Sequence, residues 1–182
     1  MSRDASSGGL LTAANDMRRA GAERDPWLAG LRLIGIGWAT VELERAAVDL
    51  ASAFAAARVP QPDWSPAPRD AHLGATAWVG ATAWFGAAGP PRGLSDPEIP
   101  AVILLEPDTE GRLAATLARF DEGVAAIYLE LPRAAVPGEP PPAYAVDMAR
   151  LGAAAPGPLG PARIVLARPA WGPHIVVVGP AR

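Results

Sequence analysis

The stretch LRLIGIGWATVELERAAVDLASAF, residues 31–54, changes character once, and that change decides the fold. Its first ten residues are apolar, with the β-branched content of a buried strand. From there Leu43, Ala46, Ala47, Leu50 and Phe54 recur at helical spacing, while Glu44, Arg45 and Asp49 fall on the opposite side. The spacing predicts a strand that runs directly into an amphipathic helix of about four turns. The Pro-rich VPQPDWSPAP at 59–68 reads as the loop that ends it.

Downstream, ATAWVG and ATAWFG stand back to back at 75–86. On one continuous strand Trp78 and Trp84 share a face with Thr76, Gly80 and Thr82, and Ala77, Val79, Ala81, Ala83 and Phe85 take the other. A hairpin broken at Gly80 would undo that sharing. A second loop, AAGPPRGLSDPEIP at 87–100, leads to the apolar strand AVILLE at 101–106. A helix then starts at Asp108 or Thr109, with Leu113, Leu117 and Phe120 spaced along one side. VAAIYLEL at 124–131 reads as a strand, PRAAVPGEPPPA at 132–143 as a third loop, and a short helix runs through Tyr144, Met148 and Leu151. ARIVLARPAWGPHIVVV, 162–178, reads as two strands around a turn at Pro169–Pro173.

The order is β-α-β-β-β, a helix, then β-α-β-β, so the second half echoes the first. Residues 1–26 read as a flexible tail, and 27–182 as a single α+β domain of two modules, about 31–107 and 121–178.

Composition excludes several classes of function. Of 182 residues 50% are apolar and 19% charged, as in globular proteins, and 21 Pro with 19 Gly imply many loops. The net charge is −3 and all 16 basic residues are Arg without a basic stripe, which argues against nucleic acid as a partner. Without cysteine there are no disulfides, thiolate nucleophiles or thiolate metal sites. The apolar stretch near the N-terminus stops at Asp16, too short for a signal peptide, and no apolar run approaches the ~20 residues of a membrane span. A cytoplasmic protein is the expectation. GIGWAT at 35–40 sits where a dinucleotide fingerprint would sit, but Thr40 replaces its third glycine, and Glu42 and Glu44 would repel phosphates from the helix start. None of Ser2, Ser6, Ser7, Ser52, Ser65 or Ser95 lies in a nucleophile elbow.

IGIGWATVELERAAVDLA and VILLEPDTEGRLAATLARFDEGVAAIYLEL carry a resemblance to vicinal oxygen chelate (glyoxalase/bleomycin-resistance) domains, nearest the methylmalonyl-CoA epimerase branch. It covers about residues 31–178. The resemblance implies paired βαβββ modules that form a curved mixed sheet around a central cavity, and in many members dimers. It also implies a divalent cation held by two His, a third-strand ligand and a final Glu. By motif these positions are Gly35, Ile103, Ala126 and Val176, none of which offers a lone pair to a metal. Only His72 and His174 are available in the whole chain.

The function implied is therefore a metal-independent protein, without cofactor, that binds or sequesters a small apolar or aromatic molecule. Trp78, Trp84, Tyr128, Trp171 and His174 are its candidate ligand-binding residues. The small face of the tryptophan repeat suits a helix, which turns the indoles toward the cavity; they line it, fill it or form a dimer seam. Two alternatives stand beside this. One is a divergent epimerase- or lyase-like enzyme using His174 with Glu106 or Glu130; the other is a non-catalytic accessory or dimerisation protein. His72, between loop and strand, reads as a surface residue.

Overall fold

The computed structural model describes residues 7–81, 100–108, 110–131, 146–166 and 173–179. Its elements are α1 (Ser7–Ala22), β1 (Arg32–Ala39), α2 (Leu43–Ala56), β2 (Asp63–Asp70), β3 (Ala75–Ala81), β4 (Ala101–Pro107), α3 (Arg112–Phe120), β5 (Gly123–Glu130), β6 (Ala162–Ile164) and β7 (His174–Val178). The strands make one curled, mixed sheet in the order β2-β3-β4-β1-β5-β7-β6, an α+β fold. β1 runs parallel to β4, β5 runs parallel to β7, and β1 and β5 meet antiparallel in the middle. The two halves are thus related by an approximate twofold at the β1–β5 seam. In the second half the counterpart of β2 is reduced to isolated bridges, Leu151 to Val165 and Ala155 to Ala162.

Two apolar clusters lie on the two faces of this sheet. Ile36, Val102, Leu104, Ile127, Leu129 and Ile175 belong to the outer cluster, which Leu43, Ala46, Leu50 and Phe54 of α2 complete. At the start of α2, Glu106 accepts from the Leu43 amide at 3.2 Å and Glu122 from the Val41 amide at 2.9 Å. Carboxylates from β4 and from the turn before β5 therefore satisfy donors that the helix itself leaves open.

Four expectations change. Residues 7–22 are not a flexible tail but α1, with Leu10 and Ala14 fully buried in the outer cluster. α1 lies over β5 as α2 lies over β4, closing the second half of the outer face. Residues 63–68, expected within a loop, belong to β2, which pairs antiparallel with β3. Pro66 and Pro68 are tolerated because β2 is an edge strand, where one side of the backbone has no ladder to complete. The short helix expected through Tyr144 contracts to a 3-10 turn over Met148–Arg150, and Tyr144 lies outside the described residues. The linking helix starts at Arg112 rather than at Asp108 or Thr109. Among the described residues no helix is long and apolar enough to cross a membrane.

A tail and a packed helix differ in what they contribute to stability. Leu10→Ala is expected to cost about 2–4 kcal/mol in a denaturant titration. A change within a few tenths would mean that α1 does not hold the outer face.

Candidate functional site

Strand register sets out two adjacent rows across the inner face. In one, Ile103 pairs with Gly37, Gly37 with Ala126 and Ala126 with His174; in the other, Ala101 pairs with Gly35, Gly35 with Tyr128 and Tyr128 with Val176. Directly paired residues project from the same side of a sheet. Gly35, Ile103, Ala126 and Val176, which sequence alone places on four separate strands, are therefore brought together on one face.

That face is filled by side chains. Ile103, Leu105, Ala126, Tyr128 and Val176 each show 0% exposure. Leu113 and Leu117 of α3, Leu73 of the β2–β3 turn and Leu159 pack onto them. The floor is made of very small residues. A Cβ on Gly35 would lie 2.8 Å from the Ile103 Cδ1 and 2.9 Å from the Leu159 Cδ1; one on Gly37 would lie 2.8 Å from the Leu105 Cδ1 and 3.0 Å from the Ala126 Cβ. The glycines are places where neighbouring side chains come down onto the backbone.

Two buried polar contacts tie the covering elements to the sheet. The Tyr128 hydroxyl donates to Asp70 Oδ2 at 2.7 Å, and Asp70 Oδ1 accepts from the His72 and Leu73 amides, each at 3.0 Å. Gly74, at φ 66°, donates its amide to the Asp70 carbonyl at 3.0 Å and closes the turn that holds Leu73 inward. His72, expected at the surface, is half-buried and donates Nε2 to the Ala162 carbonyl at 2.9 Å. On the other side His174 Nε2 and Thr116 Oγ1 are 3.0 Å apart, and the Thr116 hydroxyl donates to the Arg112 carbonyl at 2.9 Å. Since threonine has a single hydroxyl proton, Nε2 is the donor in the first of these. Burial first, then the charge and hydrogen bond of Asp70, push the Tyr128 hydroxyl well above the ordinary tyrosine range.

The candidate residues separate accordingly. Tyr128 and His174 lie on the inner face, both with 0% exposure and both engaged within the chain. Trp78 pairs with Leu104, which pairs with Trp38, so it belongs to the outer face, and Ala77 and Val79 take the inner one. This inverts the expected orientation of the repeat. The small residues Ala75 and Ala77 belong to the inner cluster, with Leu73, Leu105 and the α3 residues Leu113 and Leu117. Gly80 follows Trp78 on the outer side, where a Cβ would lie 2.7 Å from the Trp64 ring. Trp84 and Trp171 lie outside the described residues.

The acid/base groups proposed beside His174 have other partners: Glu106 accepts from the Leu43 amide at the start of α2, and Glu130 pairs with Arg32, four residues along β5 from Ala126, the register partner of His174. No cluster of three or more His, Asp or Glu suited to a metal occurs among the described residues. Sequence reasoning missed Asp70. Its signal was an Asp four residues before a Gly between two strands, the composition of a turn in which a carboxylate binds its own backbone.

Fold and register together define an α+β protein of paired modules whose inner face is packed. Neither a protein-family profile nor a curated protein sequence matches the chain. Among solved structures it is similar to methylmalonyl-CoA epimerase from Mycobacterium tuberculosis, with TM-score 0.54 and 15% identity over 82% of this chain and 88% of that one. A hypothetical protein from Bacillus halodurans C-125 aligns with TM-score 0.48 and 13% identity over 84% and 96% of the two chains. The first likeness is one of fold, and it agrees with the paired-module architecture expected from the sequence.

Two measurements test the packed face. Gly37→Ala is expected to destabilise by about 1–3 kcal/mol, because the Ala126 Cβ is fixed by its own strand; over an open cavity the same change would be neutral or stabilising. Tyr128→Phe is expected to cost about 1–3 kcal/mol near neutral pH by leaving a buried Asp70 oxygen unpaired. A group whose pKa is raised on folding stabilises fully below its unfolded value, about pH 10 here, and loses that contribution as pH climbs through the folded value. With no lysine in the chain, the alkaline limb of the stability curve reports mainly on tyrosine, so Tyr128→Phe should flatten it. An unchanged limb would remove Tyr128 from the core network.

Proposed function

We propose that this chain is a non-catalytic accessory protein built on the glyoxalase/bleomycin-resistance type of fold, with the face that relatives use for chemistry turned into core. The observation that carries the reading is the inner face itself. The positions aligned with the family's metal ligands are Gly35, Ile103, Ala126 and Val176, an apolar set with no donor atoms, and the space above them is taken by Leu73, Leu105, Tyr128 and Leu159. A divalent cation does not fit this set, because every coordination bond needs a lone pair.

The epimerase- or lyase-like alternative needs access to His174, and the metal-independent binding of a small apolar molecule draws on Tyr128 and His174 beside the tryptophans. Both residues are sealed, with the Tyr128 hydroxyl held by Asp70 and His174 Nε2 held by Thr116. An accessory protein needs no such access: it acts through its surface on another protein, and a rigid, filled sheet is a suitable support for that surface. A cytoplasmic location remains part of the proposal from the sequence reading, and homodimer formation through the family resemblance alone.

Intrinsic tryptophan fluorescence and thermal melts of chelator-treated protein provide the test. Manganese, cobalt or zinc, and a panel of aromatic and apolar small molecules, are expected to give no saturable change. A metal-dependent response would restore the enzyme reading; a saturable organic ligand, insensitive to chelator, would restore the binding module.

A further inference from the structure

Where β1 ends and β5 begins, the surface carries an open groove of about 630 Å³, within the roughly 300–1,000 Å³ typical of ligand clefts. Trp38 and Leu117, exposed by 7% and 8%, form its apolar floor. Val41, 63% exposed, and Ala118 stand at its rim. One helical turn beyond Arg45 on α2, Val48 is 65% exposed and continues this surface outside the groove. Valine is a mediocre helix former and Val48 contributes nothing to the core, so neither local propensity nor packing accounts for it.

The charge around this apolar strip is one-sided. Arg45 is shared by three carboxylates, Glu122 at 2.5 Å, Glu42 at 3.4 Å and Asp49 at 3.5 Å. Asp121 adds a fourth to the groove wall. Burial alone would push the Glu122 carboxyl up, but hydrogen bonds from Arg45, the Val41 amide and Thr40 hold it below the usual range, so it is ionised at neutral pH. α3 ends at the same place, and the carboxyl end of a helix carries partial negative charge. Arg119, the basic residue of its last turn, lies over the Phe120 ring. The amino end of α2 offers no compensating positive site, since Glu106 and Glu122 already accept from its Leu43 and Val41 amides.

We propose that the groove between α2 and α3, with Val41 and Val48 along its edge, docks a segment of a partner protein that presents arginine or lysine beside bulky apolar residues. Apolar side chains of the segment cover Trp38, Leu117 and the two valines, and its cation joins the carboxylates gathered around Arg45. A lone amine is too small an occupant for a groove of about 630 Å³. This inference rests on the accessory reading and names the surface through which it acts.

Fluorescence anisotropy with short labelled peptides tests it: one mixing arginine and leucine, one with citrulline for arginine, one with glutamate for arginine, and one of arginine and glycine. The arginine–leucine peptide is expected to bind saturably, more weakly at high salt, and about tenfold tighter than any of the others. Val48→Ser and Asp121→Asn are each expected to weaken it about fivefold or more while leaving the melting temperature in place. Equal binding of the arginine–glycine peptide would reduce the effect to bulk charge and overturn the proposal, as would no binding or indifference to both substitutions. If sedimentation finds a dimer that Val41→Glu dissociates, a second copy of the chain is the occupant and the partner segment is excluded. Failure of the peptides leaves the packed inner face standing, whereas a metal or small-molecule response in the preceding test overturns the accessory reading itself.

Discussion

The antiparallel pairing of β1 with β5 joins the two halves of the sheet, and every other feature of the inner face depends on it. Gly35 opposite Tyr128, and Gly37 opposite Ala126, bring the rows of the first module into line with those of the second. A slip of one residue would turn Tyr128 to the helix-covered side and expose Ile127 and Leu129 to the other. Because β4 and β7 follow β1 and β5 in parallel, that single seam also determines where Ile103, His174 and Val176 come to lie.

Packing then decides what the shared face can do. A floor of Gly35, Gly37, Ala39, Ala75, Ala77 and Ala126 would leave a hollow if nothing else approached it. Instead α3 lowers Leu113 and Leu117 onto the sheet, and the turn at Asp70–Gly74 lowers Leu73. Both covering elements are secured by a buried polar contact rather than by apolar contact alone, Thr116 with His174 and Asp70 with Tyr128. Tyr128 and His174, two of the residues that sequence suggested for ligand binding, are thus fastenings of the core. An unpaired partner in either contact would be costly in this environment, which gives the covering elements a definite position.

Much of the fold was legible because it rests on local periodicity. β1, α2, β4 and β5 follow from apolar runs or helical spacing that tolerate few alternatives. β2 was not, since Pro66 and Pro68 argue for a loop until the strand is known to lie at an edge. Nor was the packed state of residues 7–22, whose burial depends on an apolar strip over β5 that α2 does not cover. The four motif positions were legible in the sequence, but not the packing over the face they share. Motif alignment marked four places on four strands, and register did unite them; the orientation of Trp78 was inverted, because alternation states which residues share a face but not which face meets the helices.

The sequence by itself determined the paired-module α+β architecture and the apolar residues at the four motif positions, Gly35, Ile103, Ala126 and Val176, since both are properties of residue order and side-chain chemistry. Only the tertiary structure decided that the inner face is filled, that Tyr128 and His174 are sealed within it, and that Trp78 lies outside. Those outcomes depend on which elements descend onto the sheet from remote parts of the chain, and no local pattern encodes the free energy of contacts between residues so far apart.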